Sequence, residues 1–592
     1  MNSLSRWVGL TLVGAVLGCA PANGPAATDS TADLHGLFDE AWSFVLEENP
    51  FYATYVGNHD YDDRLPSASL ADEARRAEYW QETLERLAAI DRSSLAAEEQ
   101  INYDMFESQV SDRVTAFELN DHLIPITAES GFHTGFARLA DRVPLATVEG
   151  YENYISRLRA FPDLVDQYIE VMRQGIAEGY VLPRVVLDGY ESTIDAHIVE
   201  EVAESVFWKP FESFPTTVPA DEHERLREAG EAAIIERVIP GYEAFYAFMV
   251  DEYIPNTRET LGASELPNGR ELYDYLIRHH TTLDLTADEV HQIGLDEVAR
   301  IRAEMMEVIE QVGFAGSFDE FVEFLRTDPR FYPKSAEELL KEASYIAKKM
   351  DGKLPSLFKT LPRLPYGVEP VPEHIAPKYT AGRYVGAPVG STKPGYYWVN
   401  TYALESRPLY ALTALTLHEA VPGHHLQNAL RQELEDLPNF RRFSGVNAYG
   451  EGWGLYSERL GLEAGFYEDP YDNFGRLTYE MWRACRLVVD TGVHAKGWTR
   501  QQMIDYLAAN TALSLHEITT ETDRYISWPG QALAYKIGEL KIRELRAKAE
   551  EALGERFDIR EFHDVILRHG PVPLPVLESQ IDAFIQEAQA SG

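Results

Sequence analysis

From Leu34 onward, apolar residues recur at the three- and four-residue intervals that mark one face of an α-helix. Glu73–Ile90 shows the pattern plainly, with Trp80, Leu84 and Leu87 at i, i+4 and i+7 and charged residues between them. The same periodicity predicts helices over Tyr151–Gly179, Ala220–Leu261, Ala287–Val312, Ala336–Met350, Pro408–Leu430, Trp453–Gly465, Tyr471–Val489, Arg500–Ala508 and Gln531–Leu553. Strand-like sequence is scarce. Its best case is GYYWVNTY at Gly395–Tyr402, rich in β-prone aromatics and opened by a Pro-Gly turn. Lys353–Gly395 is dense in Pro and Gly and reads as irregular loop, a boundary between two halves of one unit. No repeat of 20–50 residues occurs. The expectation is a mainly α fold.

The start of the chain breaks this pattern. Arg6 is followed by an apolar run, Trp7–Leu17, shorter than the roughly 20 residues a bilayer-spanning helix needs but right for the core of a signal peptide. It ends in Val16-Leu17-Gly18-Cys19, which resembles the bacterial lipobox, where the cysteine is lipidated and becomes the first mature residue. Cys19–Asp33 is rich in Ala, Pro, Ser and Thr, as a flexible tether is. The expected organisation is therefore a lipoprotein signal peptide at 1–18, a tether at 19–33 and a single helical unit at 34–592. Such a protein sits in the bacterial cell envelope, touching the membrane only through its N-terminal lipid. Ala20, rather than Asp, after the cysteine points to the outer membrane or periplasmic face.

Charge and cysteine content narrow the function. Lys and Arg number 53 against 96 Asp and Glu, a net −43 that repels phosphate backbones and removes nucleic acid from the partners. Cys19 and Cys485 are the two cysteines, so no disulfide framework exists, and Cys485 in EMWRACRLVV reads as a core thiol. No GxSxG elbow, GxxxxGK[ST] loop or helix-opening GxGxxG is present.

Chemistry concentrates in LTLHEAVPGHHLQ, residues 415–427. Imidazole is a good zinc ligand, and a Glu beside it can hold and deprotonate water. In the common HExxH form, the i, i+4 spacing puts both imidazoles on one helix face. Here the next histidines are His424 at i+6 and His425 at i+7, and neither fits a regular helix. Pro422 removes a helical hydrogen bond and clashes with the carbonyl of residue 418, and Gly423 tolerates unusual dihedrals. Pro422-Gly423 therefore reads as a bulge inserted in one helix. His424 then takes the place of the second ligand, with His425 as its alternate. Asn447–Glu458, NAYGEGWGLYSE, starts a fresh helix and carries Glu451, separated from His425 by twenty-five residues, and Glu458.

HEAVPGHH at 418–425, EGWGLYSE at 451–458 and RYISWPGQALAYKIG at 524–538 together resemble the bacterial domain-of-unknown-function 885 family, many of whose members are lipoproteins. The likeness extends back to NPFYATYVGNHDYDDRLP at 49–66. More remotely, a HE…GH helix followed by a Glu helix is similar to glutamate-zincin peptidases of the angiotensin-converting-enzyme, oligopeptidase and thermostable-carboxypeptidase type. That similarity implies a large helical metallopeptidase-like fold, two halves around a deep cleft with a small β-ribbon near the active-site helix. It implies one zinc ion per chain on His418, His424 (or His425) and Glu451, with Glu458 orienting a histidine and Glu419 as general base. Tyr535, or Tyr525 behind it, would steady the oxyanion, and Arg524 and Lys536 would hold a peptide carboxylate. GYYWVNTY, with Tyr397, would be the edge strand on which substrate pairs. The expected activity is hydrolysis of short peptides, carboxypeptidase or oligopeptidase in type. The alternatives are a zinc hydrolase of other amides or esters, and a non-catalytic peptide-binding lipoprotein.

Overall fold

A computed structural model describes residues 30–590 except 374–375, 377–378 and 388–392. Cys19, the signal run and most of the tether lie outside the described residues. The chain is 69% helix and 3% strand, as the periodicity predicts. Helix starts follow local chemistry: at Leu70–Ala88 the Ser69 side chain accepts the amide of Asp72, and at Ala287–Gln311 Thr286 and Glu289 form a reciprocal capping box. No helix among the described residues is long and apolar enough to cross a membrane.

Seven helices and one sheet position the site. They are α1 (Ala287–Gln311), α2 (Leu409–Glu419), α3 (His424–Gln432), α4 (Asn447–Ala464), α5 (Pro470–Lys496), α6 (Leu515–Ser527) and α7 (Ala534–Leu553). α2 has no polar face: Tyr410 through Glu419 are all buried, which is what a helix at the centre of a large protein looks like. α5 runs alongside it and packs on α1. α4 lies against α7, where Gly452 and Gly538 face each other so closely that a Cβ on Gly452 would stand 2.6 Å from the Gly538 Cα. One hydrophobic core runs from Leu34 to Ile585, with a small satellite cluster around Leu119 and Tyr275.

The sheet differs from expectation. Within the Pro/Gly-rich segment lie two short strands, β1 (Tyr366–Pro370) and β2 (Gly382–Val385), and both pair with β3 (Gly395–Val399). The order is β1-β3-β2, with β1 parallel and β2 antiparallel to β3. The GYYWV strand is thus the middle strand, and its backbone groups are taken on both sides. Tyr397 is fully buried, its hydroxyl accepting from Thr416 at 3.4 Å, so it offers substrate neither an edge nor a side chain.

Candidate metal centre

The helix carrying the HE pair does not bulge; it ends. α2 stops at Glu419, residues 420–423 form a turn, and α3 begins at His424. Across the turn the Gly423 amide donates to the Leu417 carbonyl (3.0 Å) and that of His425 to Ala420 (3.0 Å). Gly423 is required by closeness, because a Cβ there would lie 1.9 Å from the His418 carbonyl oxygen. Trp453 of α4 holds the turn by donating its indole N–H to the Pro422 carbonyl at 2.8 Å.

The break resets the helical phase and aims His424 back at His418. Their rings stand 4.7 Å apart, nearly perpendicular at 88°. Glu451, from α4, completes the group: its Oε2 lies 3.5 Å from Nε2 of His418 and 3.5 Å from Nε2 of His424. Ligand atoms of the three residues all lie within 4.8 Å of one another. Zinc bonds of 2.0–2.1 Å in a tetrahedron give ligand–ligand edges of about 3.3–3.5 Å, so the two contacts to Glu451 have the length of coordination edges. The donor set therefore fits zinc. Gly454 makes room for it, since a Cβ there would meet the His418 ring at 2.7 Å.

The surroundings are anionic, as a cation site requires. His418 Nδ1 lies 2.8 Å from Glu458 Oε1, which turns Nε2 toward the cluster. Burial alone would lower the His418 pKa, but Glu451 and Glu458 outweigh it and hold the imidazole up to about 9. Burial would likewise raise Glu451, yet the two imidazoles drive its carboxyl well below the ordinary range. Glu419, mostly buried, accepts the backbone N–H of Tyr384 at 2.8 Å, which fixes its carboxylate from the free side of β2.

Other residues singled out in the sequence separate into near and far. His425 faces away, with Nδ1 3.3 Å from the Tyr384 hydroxyl and Nε2 3.1 Å from the Leu364 carbonyl. Burial lowers its pKa to about 4. Adjacent helical residues point about 100° apart, so only one of the pair can face the triad. Tyr535 lies near enough to Glu451 to feel its charge: burial, and then that carboxylate, raise its phenol, and the Arg486 guanidinium lies over its ring at 4.5 Å. Tyr525 is committed elsewhere, donating to Glu521 at 2.6 Å and accepting from Trp482 and Arg486. Arg524 is held by Glu521 and by Gln531 at 2.7 Å. Lys536 is fully buried among Glu297, Glu480 and Glu539, each at 2.9 Å, and is a core ion-pair residue rather than a carboxylate receptor. Sequence reasoning missed Tyr384 and Arg483. Arg483 Nη2 lies 3.2 Å from the same Glu458 oxygen that meets His418, and nothing in EMWRACRLVV signals that contact.

Fold and site together define a mainly helical protein with a two-histidine, one-glutamate group of metal-ligand type. The chain belongs to the bacterial family of proteins of unknown function DUF885, whose family model matches residues 50–581. It is similar to the crystal structure of a candidate lipoprotein from Colwellia psychrerythraea, at 30% identity and a TM-score of 0.88, covering 94% of this chain and 99% of that one. A candidate lipoprotein of unknown function from Shewanella oneidensis shares the fold at 18% identity and a TM-score of 0.66, over 93% of this chain and 99% of that one. No curated protein matches the chain.

Proposed function

We propose that this protein is a zinc-dependent hydrolase of short peptides, anchored in the cell envelope by a lipid on Cys19. The observation that supports it best is the pair of 3.5 Å contacts joining His418 and His424 to Glu451, beside a Glu419 already oriented by Tyr384. Zinc held there would supply Lewis acidity toward a carbonyl and make water more acidic.

The chain's own residues supply the rest. The Glu419 carboxylate takes the proton of the attacking water as its oxygen bonds to the scissile carbonyl carbon. It passes that proton to the amide nitrogen as the C–N bond breaks, leaving a carboxylate and an amine. The Tyr384 N–H keeps one Glu419 oxygen occupied and the carboxylate aimed. Tyr535 donates its phenolic hydrogen to the negative charge growing on the carbonyl oxygen.

Glu419→Gln keeps size and hydrogen bonding but cannot take a proton. Turnover of a mixed peptide library should fall by roughly 10² to 10⁴ while zinc stays bound. Wild-type hydrolysis by Glu419→Gln with zinc in place would sink the mechanism.

A further inference from the structure

Arg524 and Tyr525 of RYISWPGQALAYKIG are spent on contacts inside the protein, yet both belong to one cluster with Tyr535 of the same stretch. Glu521 of α6 stands at its centre. It accepts from the Tyr525 hydroxyl at 2.6 Å, from Arg524 Nη2 at 2.9 Å and from Arg486 Nη2 of α5 at 3.2 Å.

Arg486 is buried, and its Nε donates to the Tyr525 hydroxyl at 2.8 Å. Its remaining nitrogen, Nη1, is buried with no hydrogen-bond partner among the described residues. The guanidinium lies over the Trp482 ring at 4.1 Å and over the Tyr535 ring at 4.5 Å. Both rings stay partly exposed. An enclosed, incompletely paired guanidinium is costly, and the two ring faces offset part of that cost. Stability alone does not ask for it, since apolar packing often serves as well as a buried ion pair.

The second guanidinium acts through Gln531. Arg524 Nη1 donates to Gln531 Oε1 at 2.7 Å, and because a guanidinium only donates, the amide is fixed with its oxygen toward Arg524. That leaves the amide nitrogen for the Tyr535 phenol, four positions on. The packing of α7 on α4 sets Tyr535 close to the metal group. Gly538, three residues after it, would place a Cβ 1.9 Å from the Ala448 carbonyl oxygen and 2.8 Å from the Gly452 Cα. Gly452 adjoins Glu451.

We propose that Arg486, together with the Arg524–Gln531 pair, positions Tyr535. The guanidinium held against the ring and the amide held against the phenol oxygen fix where the hydroxyl points. The inference rests on the hydrolytic function above and deepens it, since there Tyr535 donates to the charge growing on the carbonyl oxygen. Without these contacts ring and hydroxyl turn freely, and a group misplaced by about 1 Å can cost as much as 10²-fold in rate. Arg486 acts through Tyr535 alone.

The test is a double-mutant cycle on one short peptide that the zinc-loaded wild-type chain cleaves, with kcat and KM measured separately. Tyr535→Phe should lower kcat by about 10²- to 10³-fold, as the loss of an oxyanion donor does. Arg486→Met should lower kcat by about 10- to 100-fold with KM unchanged, and Arg486→Lys, which keeps the charge, should recover part. Added to Tyr535→Phe, Arg486→Met should cost nothing further, because the hydroxyl it aims is gone. A purely structural arginine gives the same fold-loss in both backgrounds, and that result overturns the proposal. Fluorine NMR of the zinc-free chain with fluorotyrosine at position 535 reads the ring directly. Its signal should stand apart from that of a mobile tyrosine in the full chain and collapse toward it in Arg486→Met; an unmoved signal also overturns the proposal. If Arg486→Met does not fold, Gln531→Leu takes its place in both measurements. Peptides left intact by the wild-type chain would remove the hydrolytic reading, and the fluorine signal would still decide whether Arg486 holds Tyr535.

Discussion

Nδ1 of His418 and Oε1 of Glu458, forty positions apart in the chain, meet at 2.8 Å in the interior. The contact fixes which imidazole nitrogen is free to face Glu451, and it joins the end of α2 to the middle of α4. Arg483 reaches the same Glu458 oxygen from α5 at 3.2 Å, so three helices converge on the orientation of one ring.

That convergence predicts a graded loss of metal. Glu458→Gln should weaken zinc binding by about 10- to 100-fold, the usual effect of removing a carboxylate behind a ligand histidine. Arg483→Met should weaken it less, and Arg483→Lys should recover part of the loss. Zinc affinity measured by competition with a chelating dye checks the order. Unchanged affinity in Glu458→Gln would show that the contact does not govern the ligand.

His424 and His425 are adjacent in sequence but opposite in role. His424→Ala should empty the site, since three protein ligands are the minimum of a catalytic zinc centre. His425→Ala should keep zinc and lower stability instead, because its two ring contacts join α3 to β2 and to Leu364. Metal content and melting temperature of the two variants separate these outcomes, and zinc retained by His424→Ala would refute the assignment.

Stability should fall in mild acid. Burial lowers His133, His280, His494 and His563 to about 3. The unfolded chain takes up protons at these imidazoles below about 6.5 and the folded chain does not, so each removes stability as pH falls from 6.5 toward 3. Asp472, Asp490 and Glu517, raised by burial to about 7, act in the opposite sense, holding a proton in the folded state that the unfolded chain releases. His425 and His569, lowered by burial to about 4, add to the imidazole side, so the imidazoles outweigh the three carboxyls and stability falls between pH 6.5 and 5. Denaturant melts at the two pH values measure it; equal stability at both would show that these imidazoles are not held neutral.

Anchoring is tested at the other end of the chain. Cys19→Ala should move the protein from membrane to soluble fractions with its melting temperature unchanged, because the folded core begins at Leu34. A wild-type protein found in the cytoplasm with Met1 intact would end the lipoprotein reading.

The helices were legible because amphipathic periodicity is a local property: Trp80 and Leu87 announce a buried face without reference to anything distant. The chemical types at the centre were legible for the same reason, since a His-Glu pair, further histidines and a later glutamate are residues of one kind of site. Other features depended on long-range contacts. β1 and β2 are four or five residues long in Pro/Gly-rich sequence, and they exist because β3 offers both its edges. The choice of His424 over His425 follows from where α2 ends and at what phase α3 restarts, which the packing of Gly423 on His418 and the Trp453 bond to Pro422 decide. Lys536, beside Tyr535, looks in sequence like a charge available to substrate. In the fold it points the other way, into Glu297 and Glu480, which lie 239 and 56 positions earlier. Sequence alone determined which side chains could do the chemistry, because composition and periodicity are written locally. Tertiary structure decided which of them face one another, because a charge is free or spent only according to what distant segments bring within reach.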